Sequence, residues 1–309
     1  MNGEQGDPLQ QRVVNQFAQA MLAEQRQARY WGIFFKLLGF AYLTGLLLAL
    51  YAGSDGGPIM TGEHTALIEV RGVIGDDTEA SADNVITGLR AAFEDRHTKG
   101  VVLRINSPGG SPVQAGYIND EIVRLREKHP DIKVYAVITD ICASGGYYVA
   151  AAADEIYADK ASIVGSIGVL MNGFGFVGTM EKLGIERRLL TAGDHKGFLD
   201  PFSPLRSDDV THIQTLLGEI HEQFVNTVKR GRRDRLADDS RLFTGLIWTG
   251  VEALELGMVD ALGSSSHVAR EVIKAEKIVD FTAREHFVDR FARQLGAHLS
   301  GSLSLLQLR

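Results

Sequence analysis

The 309-residue chain reads as an α/β fold, a mostly parallel sheet with flanking helices, preceded by one membrane-spanning helix. Two observations lead there. From His64 to Ala158, short apolar runs of strand length alternate with helical stretches, which is the pattern of successive βαβ units. Upstream, Trp31–Tyr51 (WGIFFKLLGFAYLTGLLLALY) is a run of about 21 residues with one charge, Lys36, and a bilayer core is crossed by about 20 apolar residues in a helix.

The apolar run is too long for the core of a cleaved signal, and about thirty residues precede it. Trp31, Tyr42 and Tyr51 suit membrane interfaces, and Lys36 can reach the nearer headgroups. Arg12, Arg26 and Arg29 lie on its N-terminal side, whereas no basic residue follows until Arg71. The positive-inside rule therefore predicts a single-pass inner-membrane protein with a cytoplasmic N-terminus and an extracytoplasmic domain. Residues 1–30 read as a polar tail in which Val13, Phe17 and Met21 share helical spacing. Residues 31–53 read as the anchor, and Gly53–Pro58 as a linker.

The folded domain is expected over 54–283. Its strands are His64–Gly75, Gly100–Asn106, Lys133–Thr139 and Glu155–Ala158. Its helices are Ala80–Arg96, Val113–Lys128 and a small-residue helix Gly145–Ala153. From about Pro204 the pattern turns helical, with later helices at Gly250–Leu256 and Ser265–Ala275. Residues 284–309 form an amphipathic tail. A net charge of −7 argues against a nucleic-acid partner. The basic run Lys229–Arg235 is short and flanked by acids, and reads as a solvated face. The single cysteine, Cys142, allows no intrachain disulfide, and no Cys/His spacing suggests zinc; neither metal nor cofactor is expected.

Two glycine-rich loops follow adjacent predicted strands: Ser107-Pro-Gly-Gly110, and Ala143-Ser-Gly-Gly146. Loops at the carboxyl edge of a parallel sheet are where such folds place sites. Ser144 opens a helix, where free N–H groups can hold an oxyanion, and Gly145 and Gly146 leave room for a substrate backbone. On local sequence alone Ser144 reads first as a helix cap, and the Gly109–Gly110 turn reads also as a tight turn; two such loops on adjacent strands, one carrying a serine, favour a site. His195 and Lys196 are the candidates to activate the serine. A lysine has a pKa near 10.4 in water, so acting as a base at neutral pH requires it to fall by about three, on the order of 4–5 kcal/mol. Phe198, Leu199 and Phe202 could supply the apolar wall. Gly173-Phe-Gly-Phe-Val-Gly178 fits a dinucleotide fingerprint but lies too deep in the chain, with two phenylalanines in the way, and reads as strand–turn packing.

Val102–Gly110, Ala143–Ala150, Ile163–Val169, Gly193–Lys196 and Phe243–Asp260, in unbroken order, resemble the signal peptide peptidase A family of Ser-Lys peptidases in its short form. The resemblance runs from about Thr65 to Gly263. It implies a crotonase/Clp-peptidase-like fold, with Ser144 as nucleophile and Lys196 as general base. Ser166 would orient the lysine amine, and Gly109 and Gly145 would be the oxyanion donors. It further implies apolar peptide substrates, most plausibly remnant signal peptides, and a homo-oligomeric ring with sites completed between neighbours. Two other enzymatic and non-enzymatic expectations use the same fold: a crotonase-type acyl-CoA enzyme, in which the anchor and the Ser144/Lys196 pair have no place, and a non-catalytic membrane scaffold.

Overall fold

The computed structural model describes residues 8–52 and 62–283. The expected linker and the 284–309 tail lie outside them. The chain divides into two units, residues 1–60 and 61–309.

In the first unit a single helix, α1 (Pro8–Ala52), runs without interruption through the expected tail and anchor. Gln25–Leu48 is the stretch long and apolar enough to cross a membrane. At 1.5 Å per residue its 24 residues extend about 36 Å. Trp31 and Phe35 stack with ring centroids 5.7 Å apart, as expected one helical turn apart.

The second unit is built on β1 (His64–Arg71), β2 (Thr98–Ser107) and β3 (Lys133–Ala143), paired in parallel. α2 (Ala82–Glu94) and α3 (Pro112–Lys128) make the crossovers. Their starts follow from sequence: the Ser81 and Ser111 side chains accept the N–H groups of Asn84 and Gln114, and Pro112 occupies the first turn of α3. The strands are apolar on both faces because both are covered. Ala66, Ile68, Leu103, Ile105, Ala136 and Ile138 face the main core with α2 and α3. Leu67, Val102, Tyr135 and Val137 face a smaller core with Tyr157 and Val268.

β3 forks the sheet. Its first half pairs with β4 (Glu155–Ala158), and its last three residues pair with β5 (Ile163–Gly165). β4 continues to β7 (Ala261–Leu262), while β5 pairs antiparallel with β6 (Ile247–Thr249). The other edge is β8 (Ile278–Asp280), on β1. β3 thus extends past the expected end at Thr139, because β5 offers it a partner that local sequence does not reveal. The small-residue helix α4 stops at Ala150 rather than Ala153. The helix expected over Ser265–Ala275 starts as α8 (Ser265–His267) and runs on as a π-helical turn through Ile273.

α6 (Ser207–Arg232) is the long helix of the C-terminal half. Its inner end packs on the core through Phe224 and Val228. The basic run at that end is not uniformly solvated: Arg232 is 1% exposed and paired with Asp260 at 2.7 Å, while donating to the Gly257 carbonyl. A buried guanidinium persists only with such partners. Gly173–Phe176 is coil leading into α5 (Val177–Leu183), with no strand directly before it, and a Cβ added at Gly173, Gly175 or Gly178 would meet nothing within 4 Å. The strand–turn packing expected there does not form.

Candidate active site

Ser144 ends β3 and opens α4 (Gly145–Ala150) with φ 51° and ψ −123°. L-residues rarely adopt positive φ, and such strain persists where the surroundings enforce it. The enforcing contacts are visible: the Ser144 N–H donates to the Gly165 carbonyl at 2.8 Å, and the Ser144 carbonyl accepts from Tyr148 N–H at 3.0 Å. The result is a sharp strand–turn–helix elbow without the usual Gly-x-Ser-x-Gly motif. Ser144 caps no backbone N–H with its side chain, so the helix-cap reading does not hold, and its hydroxyl has no hydrogen-bond partner among the described residues.

The Gly109–Gly110 turn lies directly on this elbow. A Cβ on Gly109 would sit 2.7 Å from Ser144 Cβ and 2.8 Å from the Gly145 nitrogen, and φ there is +103°. Only glycine fits. The turn is held by Ile74, whose N–H donates to the Gly109 carbonyl and whose carbonyl accepts from Ser111, both at 2.8 Å. The Gly109 N–H donates to Ser107 Oγ at 3.1 Å. The N–H groups of Gly110 and Gly145 have no acceptor among the described residues. The sequence marked the Gly109–Gly110 turn but, of the two, named Gly109 as the donor; that the Gly110 N–H is the one left without an acceptor follows from the Ser107 and Ile74 bonds.

Ser166 also has positive φ, 55°. It follows Gly165, the register partner of Ala143 and acceptor of the Ser144 N–H. The fold therefore brings Ser144, Gly145, Gly109 and Ser166 together. Burial raises the thiol pKa of the neighbouring Cys142.

Lys196 lies in the long segment between β5 and α6. No hydrogen bond or ion pair joins its ammonium to these four residues or to any other described residue. Lys196 is exposed, and Phe198 and Phe202 are 46% and 40% exposed. The segment is tied within itself: Phe176 stacks on Phe202 at 5.4 Å, and Arg187 and Ser203 both hold the Asp200 carboxylate, keeping it below the usual carboxylate range. His195 Nδ1 lies 2.6 Å from the carboxylate of Asp209. His195, Asp208 and Asp209 are close enough to share a cation, but Arg206 already pairs with Asp208 at 2.7 Å.

Residues 126–279, which include Ser144, Ser166 and Lys196, match peptidase family S49. A putative protease of Synechocystis is 35% identical over 204 residues, 66% of this chain and 71% of that protein. This chain belongs to peptidase family S49. A putative signal peptide peptidase SppA of Enterococcus faecium is 32% identical over 227 residues, 71% of this chain and 65% of that protein. The Na(+)/H(+) antiporter NhaA of Brucella abortus is 46% identical over 183 residues, 59% of this chain, but the S49 chain spans only 25% of that protein.

Proposed function

We propose that the protein is a membrane-anchored serine endopeptidase in which Ser144 is the nucleophile and Lys196 the general base. The strained Ser144 elbow beneath the Gly109–Gly110 turn carries this reading. Neutral Lys196 takes the proton from Ser144 Oγ as the oxygen attacks the scissile carbonyl. The oxyanion is held by Gly145 and the Gly109–Gly110 turn. Collapse passes the proton from the ammonium to the leaving amine and leaves an acyl group on Ser144. Water, deprotonated by the same amine, then releases the acid. Ser166 orients the amine.

The exposure of Lys196 supports a site completed by a neighbouring protomer, as do the exposed apolar residues of the same β5–α6 segment: Phe174 is 83% and Leu190 96% exposed. Such a patch on a folded domain calls for cover, and a ring of copies would provide both the cover and the desolvation a lysine base requires. Residues 1–30 would be cytoplasmic, 31–53 the anchor and 54–283 the extracytoplasmic peptidase domain, placed to cut apolar peptides such as remnant signal peptides at the membrane.

The test is labelling by a serine-reactive phosphonate together with turnover of an apolar peptide. Ser144→Ala should abolish both, Lys196→Ala and Lys196→Arg should abolish turnover, and the double variant should be no worse than either single one. Ser166→Ala should cost less. A Ser144→Ala protein that still turns over substrate sinks the proposal.

The His195–Asp209 pair favours a second reading, a Ser-His-Asp relay, because a histidine hydrogen-bonded to a buried carboxylate is the arrangement of an oriented base. Under that reading Lys196→Ala keeps turnover while any His195 variant lacking a basic nitrogen loses it.

A further inference from the structure

Resting on the reading of Lys196 as base, we propose that Asp209 and His195 are positioning residues: they clamp the Lys196 turn to the first turn of α6 and so set where the amine is presented. Asp209 is 5% exposed, although its neighbours Ser207 and Asp208 are exposed. A buried carboxylate needs a donor, and His195 Nδ1 supplies it at 2.6 Å. The clamp has a second point. Arg206, the cap residue of α6, donates from Nη1 to the Asp194 carbonyl at 2.8 Å while Nη2 holds Asp208. The two residues before Lys196 are thus both tied to α6.

The turn itself is closed by Lys196 N–H on the Gly193 carbonyl and Phe198 N–H on the His195 carbonyl, both at 3.1 Å. Backbone on either side of Lys196 is held, while its side chain alone remains uncommitted. That is the arrangement of a group kept for another partner. Asp194, Asp200 and Arg206 line the same cavity as Asp209, and Lys196 and Asp208 adjoin the pair in sequence.

α6 gives the clamp its reach. At its other end Thr227 Oγ1 donates to the Tyr148 hydroxyl at 3.0 Å, and Phe224 packs on the Tyr148 ring at 5.1 Å. Tyr148 lies on α4 and its N–H holds the Ser144 carbonyl. One helix therefore ties the nucleophile's elbow at one end to the lysine turn at the other, with about 27 Å of helix between Asp209 and Thr227. A strut of fixed length between the two elements sets the spacing at which protomers must meet for Lys196 to reach a serine.

The experiment uses the full chain in detergent and compares His195→Ala, Asp209→Ala, the double variant and His195→Asn. Asparagine can donate its amide N–H to Asp209 where Nδ1–H did, but it offers no base. His195→Ala and Asp209→Ala should each lower kcat by about 10–100-fold, since a displacement near 1 Å at the chemistry costs on this scale. KM should stay within about twofold, and the double variant should be no worse than either single one. His195→Asn should return kcat to within a few-fold of wild type. Wild-type kcat in His195→Ala, an exposed site whose substitution leaves the core intact, would overturn the proposal. So would His195→Asn as inactive as His195→Ala, the outcome of the relay reading. Turnover retained in Lys196→Ala would instead remove the base itself, and the clamp would lose its purpose with it.

Discussion

Gly109→Ala separates the elbow from the rest of the fold. The added methyl would lie 2.7 Å from Ser144 Cβ, 2.8 Å from the Gly145 nitrogen and 2.9 Å from the Ala143 carbonyl oxygen. Carbon atoms prefer about 3.5–4.0 Å, so the turn and the elbow must part by roughly 1 Å. The left-handed φ of +103° adds strain of about 1–3 kcal/mol, and overpacking adds about as much again. Neither Gly109 nor Ser144 belongs to either core cluster, so the chain should stay folded with its stability lowered by ~2–6 kcal/mol. The chemistry should suffer more, because the moved atoms belong to the proposed nucleophile and a proposed oxyanion donor. A loss of about 10²-fold in phosphonate labelling and peptide turnover is expected. Gly116→Ala, on α3 with nothing within 4 Å of the new methyl, is the control: full activity and a gain of about 0.5–1 kcal/mol. Labelling of Gly109→Ala at the wild-type rate, with denaturation confirming the destabilisation, would refute the assignment of this turn to the site.

Two further perturbations address stability. Glu121 is held by Arg124 and Arg90, and the Arg124 bond chiefly lowers its pKa from 4.5 to about 2. A depressed carboxylate stabilises above its unfolded pKa and loses that contribution as pH falls toward 2. Both arginines are half exposed, so Glu121→Gln should cost only ~1–2 kcal/mol at pH 7. In urea unfolding the gap should close between pH 4.5 and 2; a gap that widens on acidification contradicts this. Tyr147 is fully buried with its hydroxyl donating to the Met258 carbonyl at 2.7 Å. Tyr147→Phe should therefore cost about 1–2 kcal/mol by the same assay, and an unchanged midpoint would mean that bond contributes nothing.

Much of the sheet was legible because its strands are apolar on both faces and separated by amphipathic helices with serine caps. What escaped was set by partners distant in sequence. Asp140–Ala143 lacks the apolar signal of the strand's first half, and it is strand because Ile163–Gly165 lies beside it. β6 is three residues long and pairs across the chain, so nothing local marks it. Ser144 could be picked out by its glycine neighbours. Its positive φ could not, because that depends on the Gly165 carbonyl and the turn held by Ile74. The basic run was misread at Arg232 because burial is decided by Asp260, 28 residues on. Lys196 stood out beside His195 as a candidate base, and the family pattern favoured it, whereas nothing in the sequence marked Asp209, whose burial depends on the fold.

The forked β3 has a bearing on what descent preserves. Its trunk, with β1, β2 and β4, carries nearly all of the sheet's contribution to the two cores, while Ser144 and Ser166 sit on the side branch formed with β5 and β6. Most of the sheet's packing therefore falls to the trunk and the proposed chemistry to the branch, which is joined to the main core chiefly through Cys142 and Val164. A lineage can shed the reaction and still keep the architecture, or graft the whole unit onto another polypeptide without disturbing its interior.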